Sequence, residues 1–425
     1  MRYNFTIAAA ILCFPFLVLA QEYGQISTGA SYANQSYYSF ATGTETQVPN
    51  ESWDLRFTAL GGTDAGIHIN ESTTSSFTEP LPELELYLSP SQDFEDTVDP
   101  ETLGDRIYNT EQSWQYGALN ETRNESNPFD YGWGAYNPGT HVIEGTTVFV
   151  LKLRNGQYKK FMVTSLTNGA YNLRYADLDG SNEQTVSLNK SDSIGSFLYF
   201  SLEEDSLIEE VPTEWDLLFC RYTTPLDDGE GGILEYTVTG ILSGPEVEVA
   251  EVTGIPSEEV DAETAAEYLT DLDVIGHDWK AYDFSEGWLL RDSTTYLIKT
   301  ANNHIYKIVF VDFEGASTGT ATFEVEDLGV VSSTRENQHL AGFSVFPNLI
   351  KSGAMPTLSF QAKNAIPRAD ILVYDLSGQV VQRSTTSFNQ GLNAMQLPQL
   401  NLPAGNYFIG VQVEQDIITR KLIVH

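Results

Sequence analysis

Residues 37–57, YYSFATGTETQVPNESWDLRF, align without a gap on residues 199–219, YFSLEEDSLIEEVPTEWDLLF. Tyr37 falls on Tyr199, Trp53 on Trp215 and Asp54 on Asp216. Further on, WGAYNPGTHVIEGTTVFVLKL (133–153) matches WKAYDFSEGWLLRDSTTYLIKT (279–300) with one residue of slip. That places Trp133 on Trp279, Tyr136 on Tyr282 and Lys152 on Lys299. NGQYKKFMV then matches NHIYKIVFV, and YNLRYADLD matches TATFEVEDL. Anchors that recur in the same order identify an internal duplication.

Each copy reads as β. Val148, Val150 and Lys152 alternate with Phe149, Leu151 and Leu153, and β-branched and aromatic runs are separated by Gly, Asn and Asp turns. Asn155-Gly156 is a two-residue hairpin signal, with Asn302-Asn303 in the equivalent place. One segment, EEVDAETAAEYLTDL (258–272), carries a helical pattern with Ser257 as its N-cap and acids in the first turn. The reading is a mainly β protein: repeat 1 over 21–190, repeat 2 over 191–330, a polar linker over 331–342, and a tail over 343–425. The tail's short strands, broken by SGQ, NQG and PAGN turns, fit an immunoglobulin-like sandwich.

Charge divides the chain at the same point. Residues 21–342 hold 15 Lys and Arg against 55 Asp and Glu, whereas 343–425 hold 6 against 4. So acidic a body repels nucleic acid and anionic lipid. The first twenty residues, MRYNFTIAAAILCFPFLVLA, read as a Sec-type signal peptide cleaved after Ala20. Cys13 is followed by no lipoprotein-type cleavage box, and no later stretch is apolar enough to span a membrane. Cys220, the remaining cysteine, lies among Leu217, Leu218 and Phe219 and reads as a buried thiol, without disulfide or zinc partners.

Two family resemblances rest on these segments. FSVFPN (343–348), ILVYDLSGQVV (371–381), LPAGNYFIGV (402–411) and RKLIVH (420–425) resemble the type A C-terminal sorting domain of the type IX secretion system, with Leu349 where the family often has a second proline. The tail is then an address read by the outer-membrane translocon after Sec export to the periplasm. The body ends up released or attached to the outer-membrane surface. WDLRF, WDLLF, YNPGTHVIEG and the hairpins FVLKLRNGQYKKFMV and YLIKTANNHIYKIVFV are similar to the HmuY family of secreted haem-binding proteins. Two copies over 37–328 depart from its single-copy members.

The resemblance implies haem held by axial side chains in an apolar, aromatic-walled slot. His141, in the loop resembling the family's Thr-His segment, and His68, in the strand-like GIHIN, are the candidates. Opposite His141 the second copy has Gly287 or Trp288, so at most one copy uses the position. DLDGSNE (177–183) offers Asp177, Asp179, Ser181 and Glu183 to calcium, against the plainer reading of a solvated turn. Trp114, Tyr116 and Trp288 could stack on sugar rings or a porphyrin. GASTG (315–319) matches the serine-nucleophile pattern but joins two strands, and neither HExxH nor a Cys–His pair occurs. The expectation is a binding protein and not an enzyme, with a surface adhesin or glycan-binding module as the alternative to haem.

Overall fold

The computed structural model describes residues 22–61, 64–74, 81–265, 267–330, 339–375, 379–413 and 416–424. The signal-peptide segment and residues 331–338 of the linker lie outside them. The expected β fold is observed. A first arm comprises β1 (Glu22–Ser27), β2 (Asn34–Ser39) and β3 (Thr44–Pro49). The first body follows: β4 (Leu55–Thr58), β5 (Ile67–Ile69), β6 (Glu85–Leu88), β7 (Arg106–Ile107), β8 (Gly134–Asn137), β9 (Val142–Gly145), β10 (Phe149–Lys152), β11 (Tyr158–Thr167) and β12 (Ala170–Asp177). A second arm repeats the first: β13 (Gln184–Asn189), β14 (Phe197–Ser201) and β15 (Ser206–Ile208). The second body holds β16 (Leu217–Asp227), β17 (Ile233–Ser243), β18 (Glu248–Thr253), β19 (Lys280–Asp283), β20 (Gly287–Leu290), β21 (Thr294–Lys299), β22 (His304–Phe313) and β23 (Thr320–Val330).

The arms are exchanged between the repeats. β2 does not pair with β4 of its own copy; it pairs with β16, Tyr38 opposite Leu217 and Tyr37 opposite Leu218. β14 pairs with β4 in the identical register, Phe200 opposite Leu55 and Tyr199 opposite Arg56. Likewise β1 closes the last sheet against β23, while β13 pairs with β12. Residues 50–211 therefore form one continuous unit, and the second unit consists of 217–330 completed by the arm 22–49. The boundaries of these hydrogen-bonded units differ from the repeat boundary at 190/191.

Four sheets stack in layers. The outer sheets are β13-β12-β11-β10-β6-β7 and β1-β23-β22-β21-β18; the inner ones are β15-β14-β4-β5 and β17-β16-β2-β3. Inner strands alternate between two buried faces, as a period of two requires. Leu55, Phe57, Leu198 and Phe200 pack on the first outer sheet, and Tyr38, Leu217 and Phe219 on the second. Tyr37, Phe197, Tyr199, Leu218 and Cys220 meet between the inner sheets, with Trp53, Trp114 and Trp215.

The Trp-Asp motifs latch the arms. The Asp54 carboxylate accepts from the Leu202 amide at 2.7 Å, and Asp216 accepts from the Phe40 amide at 2.7 Å, the corresponding position of the other arm. Asp54 also meets Arg154 and the Ser201 hydroxyl, and it is wholly buried. Other paired features recur. Lys152 bridges Glu85 at 2.8 Å and Lys299 bridges Glu248 at 2.7 Å. Lys160 donates to the Phe94 and Asp96 carbonyls, as Lys307 does to those of Ser257 and Val260. Pairing sets Tyr171 level with Ala321 and Lys160 level with Lys307, one residue off the ungapped sequence matches.

The helix expected over 258–272 is absent from the described residues there. Ser257–Glu259 is one 3₁₀ turn with Pro256, not Ser257, at its cap. Asp261 turns its carboxylate back onto the Glu263 amide and the Thr264 hydroxyl, a local bond that competes with a helix. Val260 is buried with Ala250, Val252 and Leu297, and Leu269 exchanges both backbone bonds with Val249. External pairing has won over helical propensity. In the tail, a sheet of Leu340–Phe346, Thr357–Ala362 and Gly391–Gln396 packs on one of Leu349–Ile350, Asp416–Val424, Gly405–Val413, Ile366–Asp375 and Val380–Phe388, the expected sandwich.

Deleting 22–49 should leave 50–211 folded and unfold the second unit, seen as loss of one calorimetric transition and rapid proteolysis beyond 211. A single undisturbed transition would contradict the exchange. Asp54→Ala strands Arg154 and should cost about 3–5 kcal/mol. Asp216→Ala should cost about 1–3 kcal/mol by chemical denaturation. Glu71 is 3% exposed, and its two oxygens accept from the Asn109 amide at 2.8 Å and the Thr223 amide at 3.0 Å. Burial raises its carboxyl from 4.5 to about 7. In that window the folded state keeps a proton the unfolded chain has released, so this group's contribution falls as pH rises. Glu71→Gln should flatten the stability–pH curve between 4.5 and 7; equal slopes would count against it.

Candidate functional site

Between the inner sheets the two repeats meet residue for residue but not in kind. On β4 and β5, Arg56 lies directly opposite His68. At the same places in β16 and β17, Leu218 lies opposite Leu242. An apolar pair in one copy is thus a cation and an imidazole in the other. Arg56 is 5% exposed and His68 1%. The guanidinium carbon sits 4.2 Å from the ring centroid of Trp114, 4.8 Å from Phe197 and 5.4 Å from Trp53, a cation–π enclosure. Burial, and then the Arg56 charge, hold the His68 imidazole well below its usual pKa, so it is neutral at pH 7.

The stretch 91–132 folds over the open edge of β5 and completes this enclosure. Asn109 bonds both the amide and the carbonyl of Ile69, and Asn120 accepts from the Ile67 amide, so side-chain amides replace a neighbouring strand. Gly117 packs so closely on β5 that a Cβ would lie 2.3 Å from the Ile67 carbonyl oxygen. Trp114 is inserted between the sheets and donates to the Ser243 carbonyl at 2.8 Å. The cavity left there is about 40 Å³, room for roughly three waters. Burial pushes the Cys220 thiol at its wall up to about 12, so it stays protonated and unreactive. A polar guest of a few atoms fits; a porphyrin does not.

His141 is far from that layer in its contacts. It ends the turn of the β8–β9 hairpin with φ +59, exposed, its amide bonded to the Asn137 carbonyl at 2.9 Å. Its Nδ1 lies 2.8 Å from the Tyr136 hydroxyl, and Tyr136 stacks on Phe129 at 5.7 Å. His68 instead touches Trp114 and Phe197, so the two histidines are not brought together. In the second repeat Gly287 pairs as Val142 does. The turn is one residue shorter, and neither Gly287 nor Trp288 is the counterpart of His141. That hairpin carries Tyr282, Trp288 and a 99% exposed Phe284.

The three acids considered for calcium are otherwise engaged. Asp177 binds Lys159 at 2.6 Å and Asn182 at 2.6 Å, Asp179 accepts from the Ser181 amide and hydroxyl, and Glu183 forks onto Arg174. Among the described residues no group of three or more His, Cys, Asp or Glu gathers for a metal. Trp114 is buried, Tyr116 lies under the Arg123 guanidinium at 4.1 Å, and Trp288 packs on Phe313. Arg56 was not singled out by sequence reasoning. The one available signal was WDLRF against WDLLF, an arginine where the duplicate keeps leucine on a strand buried on both faces.

No curated protein matches the chain. Likeness to solved structures is faint. Dimeric latent PorU from Porphyromonas gingivalis is 8% identical over 95% of this chain and 34% of its own, with a TM-score of 0.18. The trimeric ectodomain of the C. elegans fusion protein EFF-1 is 10% identical over 95% and 86%, at 0.16. Escherichia coli alpha-2-macroglobulin activated by porcine elastase is 11% identical over 95% and 34%, at 0.17. The chain thus spans about a third of the PorU and alpha-2-macroglobulin chains, and scores this low carry no argument. Among the described residues no helix is long and apolar enough to cross a membrane. The family models are specific: the secretion-system C-terminal sorting domain matches 344–425, marking a secreted or cell-surface protein of the type IX system. The HmuY protein model matches 31–176 and again 194–325, more than half of the chain, which therefore belongs to the HmuY family as a tandem pair.

Proposed function

We propose that this exported protein binds haem through the first repeat, with His141 as an axial ligand. The observation that carries the reading is the hydrogen bond between His141 Nδ1 and the Tyr136 hydroxyl. With the proton on Nδ1, the bond orients the ring and leaves Nε2 free as a lone-pair donor, the arrangement metal-ligating histidines use. Phe129 and Tyr136 supply aromatic surface beside the ring. The family supports the ligand class, and His68 has no part in it.

A second reading is favoured by Phe284, exposed at the tip of the other hairpin beside Tyr282. Bare aromatic faces stack on sugars, so a glycan-binding or adhesive role would use the second repeat. Hemin titration separates the two. The wild-type protein and His68→Leu should give a saturable Soret shift that His141→Ala loses at least tenfold in affinity. No shift, or one indifferent to His141, would remove the haem reading; glycan-array binding abolished by Phe284→Ala would then establish the other.

A further inference from the structure

The chemistry around Arg56 is not used by either reading. Among the described residues Arg56 forms no ion pair, its charge faces the buried and neutral Tyr199 phenol, and the neighbouring Asp54 is taken by Arg154. The Arg56 Nε, the Trp53 indole nitrogen, both ring nitrogens of His68 and the Tyr222 hydroxyl are buried without hydrogen-bond partners. Arg56, His68, Trp53 and Tyr222 line the same cavity of about 40 Å³. A buried cation without a counter-charge is strongly unfavourable, and aromatic faces recover only part of that. Two carboxyls also line the cavity: Glu71 has both oxygens engaged by the Asn109 and Thr223 amides, and Glu111, which burial holds above its usual pKa and whose Oε1 has no hydrogen-bond partner, forms no ion pair with Arg56.

We propose that the cavity between the inner sheets is a binding site for a small inorganic anion of halide size, held by Arg56 with N–H and O–H donors from Trp53, His68 and Tyr222. Its volume admits about three water-sized spheres, which suits a halide and excludes larger oligo-anions. The anion supplies the charge that Arg56 lacks and the acceptor that several buried donors lack. Because the cavity is walled by Arg56 and His68 on one side and by Cys220, Tyr222 and Leu242 on the other, the anion joins the two repeats at their interface. The duplicate shows what the layer is without a site: Leu218 and Leu242 in the same register.

The test uses the full chain in sodium bromide and in sodium gluconate at equal ionic strength. Bromide should quench tryptophan emission saturably, since Trp53 and Trp114 wall the site, and should raise Tm by about 2–4 °C over gluconate. Crystals grown in bromide should show an anomalous peak beside the Arg56 guanidinium. Arg56→Leu with His68→Leu, which restores the residues of the duplicate, should abolish all three. Absence of the peak in the wild type, or an equal bromide response in the double variant, would overturn the proposal. If the double variant does not fold, the anomalous map of the wild type decides alone.

Discussion

An open sheet edge must find backbone partners, and each inner sheet of this protein finds them in the other repeat. β2 completes the sheet of β16 and β17, β14 completes that of β4 and β5, and the registers are the same. The Trp-Asp motif is the chemical expression of that constraint. Its carboxylate accepts an amide that the turn after β2 or β14 would otherwise leave unmatched. The layered cores, the indole-rich centre and the placement of both hairpins all follow from those two junctions. An inner strand buried on both faces has no solvent side on which to err.

Duplication supplies two equivalent surfaces, and divergence has made them unequal where they touch. Leucines at 218 and 242 are what a dry interface calls for; arginine and histidine at 56 and 68 are not. A buried guanidinium surrounded by indole and phenyl rings is a defined environment, retained in one copy only. The hairpins diverge as well, toward an oriented imidazole in one repeat and a bare phenyl ring in the other. Shared residues carry the fold, and the differences between copies carry whatever is specific.

Much of this was legible before the fold was known, because alternation and hairpin chemistry are local. Tyr37 on Tyr199 and Trp53 on Trp215 located the repeats, and Asn155-Gly156 located the central hairpin. The exchange of arms was not legible: β2 and β14 carry the same pattern and each stands at the same spacing before the Trp-Asp strand of its own copy, so side-chain pattern alone does not choose between β4 and β16. Ungapped matching slipped by one residue because it laid Tyr158-Lys159 on Tyr306-Lys307, whereas strand pairing sets Lys160 level with Lys307. The 258–272 segment misled because acids and alanines suit a helix, whereas Val260 and Leu269 are claimed by neighbours outside the segment. His68 was noticed, but nothing in GIHIN says that its ring faces an arginine.

The arm 22–49 emerges before the body it completes, and its place is ready only once Val330 has been made. Residues 50–211 can close as soon as they are available, since chains fold unit by unit from the N-terminus. The arm meanwhile hangs from a folded neighbour with β1 and β2 unpaired. Loop-closure entropy rises only slowly with length, so the wait changes equilibrium little; it changes traffic. During that interval an arm from another molecule is an equally good fit for the second unit. At high concentration the geometry that ties one chain's two ends together can tie successive chains into a swapped oligomer.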